Sequence, residues 1–124
     1  MPGQHVIEGP ANHRTATCRG RQDNTQRTGI KTRHIADEKT TTRSLAVDAL
    51  RAALADAKMD AKELDMVLLA TMTPEMSCPS TAARVAHEVG ASPAGAMDLA
   101  AACSGCVYGL NHAAALVQTG HYRS

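Results

Sequence analysis

Residues 65–71, Asp-Met-Val-Leu-Leu-Ala-Thr, form a continuous apolar run rather than an alternating one. A strand with one face in water alternates between apolar and polar side chains. A strand that is apolar throughout is covered on both faces, which is the condition of a parallel sheet flanked by helices. Thr73-Pro74 breaks the run. Residues 71–78 therefore read as a loop at the strand's C-terminal end, where α/β folds bind their ligands.

The flanking segments supply the helices such a sheet needs. Residues 41–58 place Val47, Leu50, Leu54 and Ala57 at helical spacing, and Thr41 or Thr42 is positioned to accept an orphan N–H at the start. Asp60-Ala-Lys-Glu63 reads as a short helical turn in capping-box style with Asp60 as its cap. Pro79 suits the first turn of a second helix, whose inner stripe is Ala82, Val85, Ala86 and Val89 and whose end is Gly90. His87 lies one step off that stripe, a rim position. A second strand spans 94–99, and Asp98 inside it requires a buried partner or a solvated end. A last helix covers 104–119, with Val107, Leu110, Ala114 and Val117 expected to face inward and Gly120 to end it. The order is helix, strand, helix, strand, helix, so the fold class is α/β. A βαβ progression continues into a further strand after its last helix, and on that ground the sheet reads as cut in mid-fold.

Composition sets the character of the core. The 124-residue chain has no Phe and no Trp. Its core must rest on Ala, Leu, Val and Met, each burying less area than an aromatic ring. The net charge of +1 conceals an asymmetry: residues 1–43 carry eight Lys and Arg against four Asp and Glu, and residues 44–124 carry five against eight. Residues 1–26 hold few large apolar residues and show neither a 2.0 nor a 3.6 period, so they read as a disordered or irregular leader. Residues 27–36 read as a basic, turn-containing segment with Arg27, Lys31, Arg33 and His34 close together, open to a phosphate contact or to plain solvation. The N-terminus lacks the apolar core of a signal peptide and no run approaches a membrane span, so a cytoplasmic setting with no membrane partner is expected.

The cysteines are Cys18, Cys78, Cys103 and Cys106. In a reducing compartment they do not suggest a disulfide framework. Cys103 falls between the end of the second strand and the start of the last helix, where unpaired N–H groups and the helix dipole favour negative charge. That position suits a nucleophile activated by a base. It equally suits half of a redox pair, because Cys103-Ser-Gly-Cys106 is a C-x-x-C at a helix start. A plain structural cysteine is the third reading. His112, nine residues along the same helix, is too far away to be the base. Cys18 with Cys78 is not a close pair, and His5 and His13 are isolated, so no metal site is expected.

From Arg27 onward the chain resembles the N-terminal half of β-ketoacyl-acyl-carrier-protein synthase III, a thiolase-fold condensing enzyme. The resemblance rests on Arg-Thr-Gly-Ile-Lys-Thr-Arg-His-Ile-Ala at 27–36, Leu-Ala-Thr-Met-Thr-Pro at 69–74, Pro-Ser-Thr at 79–81 and, above all, Asp-Leu-Ala-Ala-Ala-Cys-Ser-Gly at 98–105. It implies a truncated, thiolase-like layered fold over residues 27–124. It implies an acyltransferase of fatty-acid or polyketide initiation, with no permanently bound cofactor. Cys103 matches the nucleophile that takes an acyl group from an acyl-CoA of the acetyl-CoA type. Malonyl-acyl-carrier protein then decarboxylates, and its carbanion attacks the thioester. Arg27 matches the arginine that contacts the CoA nucleotide. The family is homodimeric, and nucleic acid is not among its partners.

The chain departs from the family at identifiable positions. The catalytic His and Asn belong to the C-terminal half. Residues 1–24 do not resemble the family's first strand and hairpin. Asp23 stands where a tryptophan stacks on the CoA adenine, Cys78 where an aromatic precedes Pro-Ser-Thr, and Cys106 where a large apolar residue follows Cys-Ser-Gly. The expectation for this chain is little or no condensing activity and at most self-acylation at Cys103. The alternatives are a non-catalytic fragment that associates through an open sheet edge, and a small thiol–disulfide protein using Cys103 and Cys106.

Overall fold

A computed structural model describes residues 6–8, 13–17, 26, 29 and 32–124. The chain forms two compact units, residues 1–40 and 41–124.

The first unit is a three-stranded antiparallel sheet in the order β1 (Val6–Glu8), β2 (His13–Thr17), β3 (Thr32–Ala36). Val6 pairs with Ala16 across β1–β2, and Thr15 pairs with His34 across β2–β3. This corrects two expectations. The stretch taken as an irregular leader carries two strands, and their ladder reaches across the 26/27 boundary into the segment taken as a basic turn. The cause of the misreading is visible in β3. Thr32, His34, Ile35 and Ala36 are all exposed, Ile35 by 49%. A strand with neither face buried has no reason to alternate, so its sequence carries no period.

The second unit is built on two parallel strands, β4 (Met66–Ala70) and β5 (Gly95–Leu99), with Val67 opposite Ala96 and Leu69 opposite Asp98. Helix α1 (Thr42–Ala57) precedes them, α2 (Thr81–Val89) connects them and α3 (Gly105–Gln118) follows. Alternate residues of the strands serve opposite faces. Val67, Leu69 and Ala96 join the core cluster with Ala82 and Ala86 of α2. Met66, Leu68, Ala70 and Leu99 line a groove against α3. Both faces of β4 are thus covered, and this accounts for its unbroken apolar sequence.

The helix ends follow local chemistry. Thr41, not Thr42, caps α1: its hydroxyl accepts from the Ser44 N–H at 3.1 Å, and the Ser44 hydroxyl accepts from the Thr41 N–H at 3.0 Å. Asp60 caps a 3₁₀ turn, Ala61–Glu63, by accepting from the Lys62 N–H. Pro79 lies one residue before the α2 cap, Ser80, rather than inside the first turn. Gly90 ends α2 at φ 82°, a left-handed conformation that glycine adopts without a steric penalty.

Helix α2 is the centre of the unit, packed on α1 at one side and on β4 and β5 at the other. Its start is held by Asp98. One carboxylate oxygen accepts from the Thr81 N–H at 2.8 Å and the other from the Ala82 N–H at 2.7 Å. The Ser80 hydroxyl accepts from the Ala83 N–H at 3.2 Å. The first three N–H groups of the helix, orphans by geometry, are therefore all satisfied. The anticipated partner of the strand-embedded Asp98 is a helix N-terminus, where backbone donors and the dipole both favour a carboxylate.

Helix α3 buries none of the stripe expected to face inward, although Leu110 and Val117 line the groove between helix and sheet. Val107, Leu110 and Val117 are 65%, 68% and 49% exposed, and Ala114 is exposed as well. The sheet instead takes the small face: Gly105 is buried, and Gly109, Ala113 and Leu116 are half-buried. The reason is close approach. A Cβ on Gly105 would stand 3.0 Å from the Ala70 Cβ.

Replacing Asp98 by Ala removes two charge-assisted hydrogen bonds at once. The expected cost is about 2–3 kcal/mol of stability. In urea unfolding followed by circular dichroism, this appears as a lowered midpoint with an unchanged slope.

Candidate active site

Three sequence segments meet at the C-terminal end of the β4–β5 pair. After β5 the chain passes through a 3₁₀ turn, Ala102–Ser104, into α3. The loop after β4 starts beside it, its Thr71 N–H donating to the Leu99 carbonyl at 3.1 Å. Cys103 sits in the 3₁₀ turn with its side chain exposed.

The turn is tight. Ala102 has φ 45°, in the left-handed region that a residue with a Cβ seldom occupies. The Ser104 N–H donates to the Ala101 carbonyl at 3.0 Å, and the Gly105 N–H donates to the Ala102 carbonyl. The Cys103 N–H has no acceptor among the described residues. Gly105 completes the turn. Its lack of a Cβ lets the start of α3 rest on Ala70 and come near the Leu99 carbonyl, so the cysteine-bearing turn is seated directly on the two strand ends.

The loop opposite is pinned by charge. Glu75 pairs with Arg84 of α2 at 2.6 Å and lies 3.5 Å from the Nε of Arg43 on α1, the longer contact being electrostatic rather than a hydrogen bond. Arg43 also pairs with Glu88 at 3.1 Å. The Thr41 hydroxyl beside Glu75 is the main cause holding its carboxyl below the ordinary value of 4.5; burial opposes the shift, and the charges of Arg84 and Arg43 add to it. At the foot of the loop the Thr42 hydroxyl donates to the Thr73 carbonyl at 2.8 Å. The loop beside Cys103 is thus tied to two helices.

A groove of 490 Å³ runs between α3 and the sheet, lined by Leu68, Ala70, Leu99, Cys106, Gly109 and Leu116 among others. Cys106 faces this groove, and Cys103 is not among its lining residues. The sequence marks Cys106 as the second half of a C-x-x-C and as a departure from a large apolar residue, but not as a groove residue; the small Gly105, Gly109 and Ala113 are the signal for the face of α3 that meets the sheet. His112 and His121 are exposed and outside the groove. His87 lines a second depression with Arg43, Arg84 and Glu88, at the rim as expected. Among the described residues no group of three or more His, Cys, Asp or Glu is placed to hold a metal ion. Arg27, the expected CoA contact, lies outside the described residues, as do Cys18 and Asp23.

Comparison with known proteins agrees with this geometry. The family description "Thiolase, N-terminal domain" matches residues 24–124. The β-ketoacyl-[acyl-carrier-protein] synthase III of Caldanaerobacter subterraneus subsp. tengcongensis is 48% identical over 100 residues, covering 81% of this chain and 30% of the relative. Its counterpart in Rhodospirillum rubrum is 49% identical over 100 residues, covering 80% and 31%. Among solved structures, the 3-oxoacyl-[acyl-carrier-protein] synthase III of Aquifex aeolicus superposes with a TM-score of 0.79 at 35% identity. That superposition covers 97% of this chain and 42% of the other chain. The priming β-ketosynthase of the R1128 polyketide pathway gives a TM-score of 0.73 at 41% identity, covering 78% and 29%. The chain spans about three-tenths of the length of the curated relatives it matches.

Two outcomes follow from the geometry of the turn and the loop. Gly105→Ala is expected to cost about 1–3 kcal/mol through overpacking against Ala70. Adding Ala70→Gly to it restores part of the loss in the same unfolding measurement. Glu75 contributes stability above its unfolded pKa and loses it as pH falls through its lowered folded value. The stability gap between wild type and Glu75→Gln, present at pH 7, is expected to close as the pH is taken below 4.5 in a titration of thermal midpoints.

Proposed function

The chain belongs to the thiolase N-terminal domain family, on its β-ketoacyl-acyl-carrier-protein synthase III branch, and from that premise we propose that Cys103 accepts an acyl group from an acyl-CoA as a thioester. The observation that carries this reading is the setting of Cys103: an exposed thiol in a tight turn at the C-terminal end of a parallel strand pair, its own N–H without an acceptor among the described residues.

In the proposed reaction the exposed Cys103 thiol gives its proton to water, and the resulting thiolate sulfur attacks the thioester carbonyl carbon. The carbonyl electrons move onto oxygen, and the free N–H of Cys103 points the backbone's partial positive charge at that oxyanion. Collapse of the tetrahedral species re-forms the carbonyl, breaks the carbon–sulfur bond to CoA and releases CoA thiolate, which takes a proton from water. The positive φ of Ala102 and the close approach of Gly105 to Ala70 set the backbone path of the turn that presents the thiol beside its own N–H.

The substrate class and the partners extend this reading. An acyl-CoA of the acetyl-CoA type is the donor, with Arg27 assigned to its nucleotide by resemblance. Malonyl-acyl-carrier protein is the second substrate of the complete reaction, in fatty-acid or polyketide initiation, and the assembly is a homodimer. Its decarboxylation step uses a His and an Asn that lie beyond the stretch matched here, so acyl transfer to Cys103 is the step this chain's own residues support. A cytoplasmic setting accords with the described residues, in which no helix is long and apolar enough to cross a membrane.

Incubation of the folded protein with acetyl-CoA, followed by intact mass measurement, is expected to show a single acetyl adduct. The adduct disappears in Cys103→Ala and persists in Cys106→Ala. A folded sample that acquires no adduct sinks the proposal.

A further inference from the structure

A second thiol stands beside the first. Cys106 occupies the second position of α3, and both Cys103 and Cys106 are free and exposed. The residues between them are helical: Ser104 has φ −82° and ψ −9°, and Gly105 has φ −56° and ψ −40°. The two cysteines therefore lie three residues apart on one continuous turn, a spacing that puts Cβ atoms about 5–6 Å apart in a helix, with Cys106 at the groove and Cys103 beside it. A disulfide needs about 3.5–4.5 Å between them. The required approach of about 1–2 Å is smallest in cost at an element's first turn, where the backbone is held by few hydrogen bonds. That is the condition here, since the Cys103 N–H has no acceptor among the described residues. No buried packing opposes the movement either. The buried residue of the turn is Gly105, against Ala70, while both cysteines are exposed, Cys106 at the open groove.

We propose that Cys103 and Cys106 form a reversible disulfide, and that this dithiol–disulfide couple withdraws Cys103 from acyl transfer, the second half resting on the acyl-acceptor reading. The oxidant is a small-molecule disulfide of the glutathione class. The Cys103 thiolate attacks one sulfur of the small disulfide, forming a mixed disulfide and expelling one small thiolate. The Cys106 thiolate then attacks the Cys103 sulfur, closing the internal S–S bond and expelling the second. The protein gives up two protons and two electrons, and the oxidant becomes two thiols. Excess thiol runs both steps backwards. Cys78, exposed in the loop after β4, has no such neighbour three residues away and stops at the mixed disulfide.

The full chain, freshly reduced, is equilibrated with mixtures of glutathione and glutathione disulfide, quenched in acid, alkylated and digested with trypsin. Both cysteines fall in one peptide, residues 85–123, which contains no internal Lys or Arg. The expected result is a passage from a doubly alkylated peptide to an unalkylated one that is two hydrogens lighter. In Cys106→Ser the peptide is expected to stop at a glutathione adduct on Cys103. The acetyl adduct formed from acetyl-CoA is expected to fall at least tenfold in the oxidised wild type and to return on reduction. A wild-type peptide that stays doubly alkylated, or accumulates as the glutathione adduct, overturns the disulfide. Persistence of the acetyl adduct at Cys103 in fully oxidised protein overturns its withdrawal from acyl transfer. If reduced protein never takes up acetyl, the acyl-acceptor reading and the withdrawal that rests on it fall together, while the peptide mass still decides whether the couple exists.

Discussion

The carboxylate of Asp98 at the start of α2 is the contact on which the second unit turns. It binds the last part of one parallel strand to the first turn of the helix that leads into that same strand. A helix with few large side chains has little hydrophobic force to fix its angle. Thr81, Ala82, Val85 and Ala86 are its buried residues, and three of the four are Ala or Thr. Two short, charged hydrogen bonds supply the directional restraint that the small side chains do not. With α2 set, α1 packs against its outer side and the loop carrying Glu75 is tied down through Arg43 and Arg84.

How much of this was legible depends on what each segment buries. Residues 65–71 announced a doubly covered strand because both faces of β4 are in fact covered, and α1 and α2 showed their periods because each buries one stripe. The hairpin of the first unit was not legible, because the described side chains of β3 are exposed on both sides. The face of α3 was misjudged for another reason. The largest residues of α3 suggest one stripe, but the strand ends come close only at Gly105, and further along the helix an open groove leaves Leu110 and Val117 exposed. Asp98 was legible as an anomaly but not as a solution, since no sequence spacing shows that its partner lies seventeen residues upstream.

The candidate site divides in the same way. Cys103 was legible because the small residues around it and the helix that follows leave a thiol exposed at a strand end. Its free N–H and the positive φ of Ala102 belong to the turn's three-dimensional path and have no one-residue signature. Cys106 was legible as a spacing, but its outlook onto the groove became visible only once α3 was seated on its small face.

The contact between Gly105 and Ala70 has one more consequence. It ties two positions far apart in the chain to one size limit. With a Cβ at 105 standing only 3.0 Å from the Ala70 Cβ, neither position can take a larger side chain alone. The end of β4 and the start of α3 therefore change only as a pair.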